Sequence, residues 1–172
     1  MTTPTTPLGT KQLRDGRSVV EFTRIFNAPI EDVWAAVTEP DRLARWVGTW
    51  HGDPAEGRVQ FRMLYEGEDV PEEALTIEEC EAPQLLRVTS VSTSEEGPQV
   101  WHFRLDLCED DGVTTLTFSQ DVPEPGLAEG VGPGWHYYLD RLVVAEAGGE
   151  PADVVWDDYY PALAEHYRGQ FA

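Results

Sequence analysis

Cysteine is scarce in this chain: Cys80 and Cys108 are the only two. They form no CxxC pair and join no Cys/His cluster, so both zinc-ligand spacing and a disulfide framework are missing. They read as small reduced residues in the core or at a strand edge. Positive charge is scarce too. Lys and Arg number 12 against 32 Asp and Glu, which gives a formal charge of −20. A field of that sign repels phosphate backbones and anionic lipid, so no nucleic acid and no membrane surface is expected as a partner. No apolar run approaches the ~18 residues of a membrane span. The opening residues MTTPTTPLGTKQL lack the apolar stretch of a secretory signal, and the expected location is cytoplasmic.

Catalytic signatures are missing as well. There is no HExxH, no G-x-S-x-G, no phosphate loop and no G-x-G-x-x-G. GVGPG at 130–134 has no strand before it, so it is no phosphate cradle. EDDG at 109–112 lacks the spaced carboxylates of a calcium loop. His51, His102, His136 and His166 show neither HxH nor HxxxH spacing. No metal and no cofactor is therefore expected.

What is present is a core. The chain has 172 residues, 41% of them apolar, with six each of Trp, Tyr and Phe. A chain of this size buries roughly 70% of its unfolded surface and needs no covalent staple. SVVEFTRIF at 18–26 is β-branched and aromatic and predicts a strand. Pro29 and Pro40 each sit where a helix can open, since the first turn does not use their missing N–H. Two short helices follow, with Val33, Trp34 and Val37 on one apolar face and Leu43, Trp46 and Val47 on the other. Thr38 is a candidate cap for the second.

After Gly57 the period changes to two. Val59, Phe61 and Met63 alternate with Arg58, Gln60 and Arg62, and ALTIEECE, LLRVTSVS and VTTLTFSQ read as further strands. In VWHFRLDL, Trp101, Phe103, Leu105 and Leu107 share one face, which sends His102 and Arg104 to the other. Asp111-Gly112 marks a tight hairpin. Residues 123–134 hold enough Pro and Gly to predict a loop or a weak helical turn. From Trp135 the spacing of Tyr138, Leu139, Leu142 and Val143 predicts a long helix, stopped by Gly148 and Gly149. Strands flanked by helices define an α+β chain with a curved antiparallel sheet of six or seven strands around that helix. The expected organisation is a flexible tail over 1–17, the folded domain over 18–147, and a helical extension over 148–172 packed on or near it.

RIFNAPIEDVWAAVTEPDRLARWVG at 24–48 carries a family likeness. Phe26 before Asn27-Ala28-Pro29, then Val33-Trp34, Thr38-Glu39-Pro40 and Trp46, resembles the opening signature of the START-like, or SRPBCC, superfamily. Within it the chain looks most like the bacterial proteins similar to the activator of the heat-shock-protein-90 ATPase. Gly134-Trp135, Leu139 and Leu142 match the family's late helix. The resemblance covers about 18–147. It implies the helix-grip fold, also described as birch-pollen-allergen-like, with a deep apolar cavity between sheet and long helix. Members range from lipid and hormone binders to polyketide cyclases and chaperone regulators, so fold alone does not give function.

On that fold, Trp46, Phe61, Met63, Trp101, Phe103, Trp135, Tyr138, Leu139 and Leu142 are the candidate cavity residues. The expected ligand is a small hydrophobic molecule such as a lipid, a sterol or a polyketide-like compound. No catalytic residue emerges. Glu66, Glu68 and Asp69, Glu72 and Glu73, Glu78 and Glu79, and Asp157 and Asp158 read as solvated faces, not as acid/base pairs. His102 reads as a surface residue and His136 as a solvated helix residue near the cavity mouth. Arg62, Arg104 and Arg141 are the cations that could meet an acidic ligand end, with the outer sheet face as the default for the first two. Two other readings stand beside binding. One is a protein-interacting or chaperone-regulating domain, with a protein partner or a homodimer. The other is a cyclase- or hydrolase-like enzyme using the same cavity.

Overall fold

The computed structural model describes residues 6–95 and 97–172. Its strands are β1 (Thr10–Arg14), β2 (Arg17–Phe26), β3 (Gly48–His51), β4 (Arg58–Met63), β5 (Glu73–Glu81), β6 (Leu85–Ser94), β7 (Gly97–Asp110) and β8 (Val113–Asp121). Helices α1 (Ile30–Thr38) and α2 (Pro40–Leu43) connect β2 to β3, α3 (Ala128–Glu146) follows β8, and α4 (Ala164–Phe171) closes the chain. All eight strands pair antiparallel in the order β1-β2-β8-β7-β6-β5-β4-β3. The architecture is the helix-grip α+β fold, a curved sheet holding a long helix. Among the described residues no helix is long and apolar enough to cross a membrane.

The sheet has eight strands where six or seven are expected, and the additions are its two edges. β1 lies inside the stretch expected as a tail. All five of its residues are exposed, so it shows no apolar alternation. Its sign was the Asp15-Gly16 pair at φ 52° and 78°, the same left-handed turn device as Asp111-Gly112 at 53° and 81°. β3 is only four residues, too short for a period to register.

The helix starts follow the prolines. Pro29 is the N-cap of α1 and Pro40 is the first residue of α2. Thr38 does not cap α2, whose N-cap is Glu39. Its hydroxyl instead donates back to the Trp34 carbonyl at 2.7 Å. α3 starts at Ala128 and runs through Pro133, where a loop or a weak helical turn is expected. An interior proline costs a helix about 3 kcal/mol, and packing against α4 offsets it. Gly132 and Pro133 are buried there, and a Cβ on Gly132 would lie 2.2 Å from the Tyr167 ring. Gly132→Ala should therefore cost about 1–3 kcal/mol by overpacking. Gly130→Ala, with open space around it, should be neutral or mildly stabilising. Equal urea midpoints for the two variants would show that the Tyr167 contact does not set the helix start.

α3 lies across only part of the concave face. Under it, Phe22, Leu105, Leu107, Leu116 and Phe118 of the sheet and Tyr138, Leu139 and Leu142 of the helix are buried. On the β4–β6 side, Phe61, Met63, Leu75, Ile77, Leu86 and Val88 point the same way yet stay half-exposed. Sheet alternation has turned apolar side chains inward there, and α3 does not close over them.

Candidate functional site

That space is a cavity of about 340 Å3, within the ~300–1,000 Å3 usual for small-molecule sites. Its floor is the concave face of β4, β5, β6 and β7, through Val59, Phe61, Leu75, Ile77, Val88 and Phe103. Its roof is the α1–α2 pair with the turn after it, through Trp34, Val37, Leu43, Trp46 and Trp50. α3 contributes Trp135 alone.

The aromatic walls are held by their own polar edges. The last carbonyls of a helix have no partner within it. Trp46 Nε1 donates to the Ala36 carbonyl at 3.0 Å and Trp50 Nε1 to the Thr38 carbonyl at 2.7 Å. Trp135 Nε1 donates to the Gln120 side-chain oxygen, and its ring tilts against Phe118 at 4.3 Å between centroids. These indole N–H groups are spent on the walls, and the ring surfaces are left to face the interior.

Of the nine residues expected to line a cavity, Trp46, Phe61, Met63, Phe103 and Trp135 do so. The other four lie elsewhere. Tyr138, Leu139 and Leu142 belong to the closed core under α3. Trp101 shares the concave face of β7 but lies past the cavity's end, half-buried, with Nε1 donating to Ser92 Oγ at 2.9 Å. The cavity therefore sits under α1 and α2 more than under α3.

Sequence reasoning missed Trp34, Trp50, Phe118, Glu73 and Cys80 as lining residues. Glu73 was hidden in an acidic run, although it is half-buried here. Cys80 was hidden by a bulge between Ile77 and Glu79 that shifts the register, placing Cys80 opposite Leu86 and on the face of Leu75. Both cysteines are free and exposed. None of the three candidate arginines lines the cavity. Arg62 is exposed on the opposite face from Phe61, and Arg104 pairs with Asp106 at 2.7 Å. Arg141 is buried, with Nε donating to the Trp46 carbonyl at 3.0 Å and the Tyr65 ring 4.0 Å away. A wider groove of about 590 Å3 lies near the start of α1, where Glu81, Gln84, Asp106, Glu109 and Thr117 share the wall with Ile30, Leu85 and Leu107.

His136 differs most from expectation. It is fully buried, not solvated. It belongs to a polar cluster that fastens both ends of the chain to α3. Asp140 accepts from Arg24 at 3.2 Å, from Thr6 at 2.8 Å and from Tyr159 at 2.6 Å. A carboxylate only accepts, so the Thr6 proton points to Asp140, and the Thr6 oxygen takes the His136 Nε2–H at 2.8 Å. Nδ1 is then the acceptor for the Tyr167 hydroxyl at 2.9 Å, whose oxygen accepts the Gly9 N–H at 2.9 Å. This arrangement fits the neutral ring. Burial pushes its pKa down to about 4, with Arg24 and His166 adding to the shift and Asp140 opposing it. Burial also raises the Tyr159 and Tyr167 hydroxyls well above the usual phenol range. His102, on the outer face, is half-buried beside Asp121 at 3.0 Å.

A curved antiparallel sheet gripping a long helix beside an apolar cavity defines the START-like class. The chain belongs to the family described as Activator of Hsp90 ATPase homolog 1-like protein, whose profile matches residues 27–146. No curated protein matches it. Among solved structures it is similar to CalU16 from Micromonospora echinospora, with 23% identity and TM-score 0.74 over 98% of this chain and 99% of that one. It is similar to the BPP1335 protein of Bordetella parapertussis, with 22% identity and TM-score 0.69 over 99% and 95%. It also resembles DynU16, a protein of the dynemicin biosynthetic locus, with 23% identity and TM-score 0.63 over 77% of this chain and 49% of that one.

Proposed function

We propose that this protein binds a small hydrophobic molecule in the cavity between β4–β7 and the α1–α2 roof, without chemistry of its own. The observation that carries this reading is the set of inward apolar side chains left half-exposed beside a tightly closed core. Such walls lack partner atoms on one side and forgo dispersion contacts that a ligand would supply. The location of a structural neighbour in a biosynthetic locus agrees with a small organic ligand. A cyclase or hydrolase reading needs an acid/base pair or an arginine in the cavity. Among the described lining residues Glu73 is the only charged side chain.

A ligand that binds only the native state adds about 2.7 kcal/mol at a hundredfold excess over Kd. For a chain of this size that is a rise of roughly 5–10 °C in Tm. A thermal-shift screen of fatty acids, sterols and multi-ring aromatics checks it, with native mass spectrometry of the purified protein. At least one class should raise Tm saturably and change the emission of Trp34, Trp46, Trp50 or Trp135. Val88→Trp, which fills the space, should abolish the rise. If no class shifts Tm and no ligand co-purifies, the binding reading fails and the protein-interacting or chaperone-regulating reading leads.

A further inference from the structure

The cavity wall is strongly aromatic, and its charge has one sign. Seven of the residues lining it are Trp or Phe, and Glu73 is the single charged one. Strand register places Trp50 directly opposite Phe61, and Phe61 directly opposite Glu73. Directly opposed residues on neighbouring strands hold their Cβ atoms ~4.5–5.5 Å apart. Indole, phenyl ring and carboxylate thus make one row across β3, β4 and β5, all turned to the cavity.

Two nearby acids have side-chain partners. Glu72 meets His51, and Glu79 meets Arg87 at 2.8 Å. Glu73 pairs with no Lys, Arg or His among the described residues. A half-buried carboxylate beside a phenyl ring, with no charged partner among the described residues, leaves its charge for a cation to meet. The faces of aromatic rings attract cations as well. An anion finds the reverse. Arg62, Arg104 and Arg141 all lie outside the cavity, and the net charge of −20 opposes entry.

We propose that the cavity selects aromatic molecules bearing an amine or similar organic cation, with the Trp50–Phe61–Glu73 row as the element that reads the charge. Fatty acids and other carboxylates are discriminated against. This inference rests on the cavity being a ligand site.

The test uses three fluorescent probes on one ring system: aminomethyl-, hydroxymethyl- and carboxy-anthracene. Titrations are run on the full chain at about 0.5 M salt, which screens remote surface charge. The amine should bind about tenfold tighter than the alcohol, and the acid about tenfold weaker. Glu73→Gln should bring amine and alcohol within about twofold of each other. Glu72→Gln, outside the lining, should keep the preference. Equal affinity for all three probes, or an amine preference that survives Glu73→Gln, overturns the charge selection. If the alcohol binds and Val88→Trp or Leu75→Trp expels it, the cavity reading stands even when the selection fails. If no probe binds, the charge selection falls, and the thermal-shift screen alone decides the cavity reading.

Discussion

Asp140→Ala should lower the unfolding free energy by about 3–5 kcal/mol. Arg24 keeps only 3% side-chain exposure and Asp140 only 8%. Removing the carboxylate leaves the guanidinium buried without a counter-charge. It also strips the acceptor from the Thr6 and Tyr159 hydroxyls. Arg24 has little slack to absorb the loss. Its Nη1 is already committed to the Pro7 and Thr23 carbonyls, and its Nε has no partner. The contrast is Glu165→Gln at the exposed Arg168–Glu165 pair, where the cost should stay below about 1 kcal/mol. Urea denaturation of both variants at neutral pH decides the matter. Comparable small losses would mean that the cluster does not hold α3 in place. Its consequence for the site is direct, because Trp135 of the cavity wall adjoins His136 in the clamp.

The second large effect is a pH dependence carried by His136. Its native pKa is pushed down to about 4 from the ordinary 6.5, chiefly by burial. Between those values the unfolded chain binds a proton that the native state does not. Stability therefore rises with pH across the window, is complete above 6.5, and is lost as pH falls through about 4. The size is about 3 kcal/mol, at 1.36 kcal/mol per pH unit. The groups acting on the ring are Asp140 on α3, Arg24 on β2, Tyr159, His166 and Tyr167 from the C-terminal segment, and Thr6. Carboxylates titrate in the lower part of this window too, so the readout is a difference. Wild type should lose about 3 kcal/mol more than His136→Gln between pH 7 and 4. Parallel pH profiles for the two proteins would remove His136 as the source.

The elements that were legible in the sequence are those whose signals are local. Alternation of Trp101, Phe103, Leu105 and Leu107 gave the right face of β7, and the pairings to β6 and β8 bear that out. Edge strand β1 escaped because both of its faces meet solvent, so selection for alternation is absent there. The start of α3 escaped because local propensity around Pro133 opposes a helix and a distant ring, Tyr167, outweighs it. For the cavity, Phe61, Met63 and Phe103 followed from strand parity. Glu73 looked like any acid in an acidic run, and only the register beside Phe61 distinguishes it from Glu72.

By itself the sequence determined the α+β class, the proline-started helix pair, the Asp-Gly hairpin and the family signature, since each depends on neighbours a few positions apart. Tertiary structure alone decided which half of the sheet α3 covers, and so where the cavity opens. It also decided that His136 is buried, through contacts with Thr6 and Tyr167 that are 130 and 31 positions away in the chain. Burial is a property of what other segments bring to a residue. A helix face or strand face states only which way a side chain points, and says nothing of whether anything is packed there.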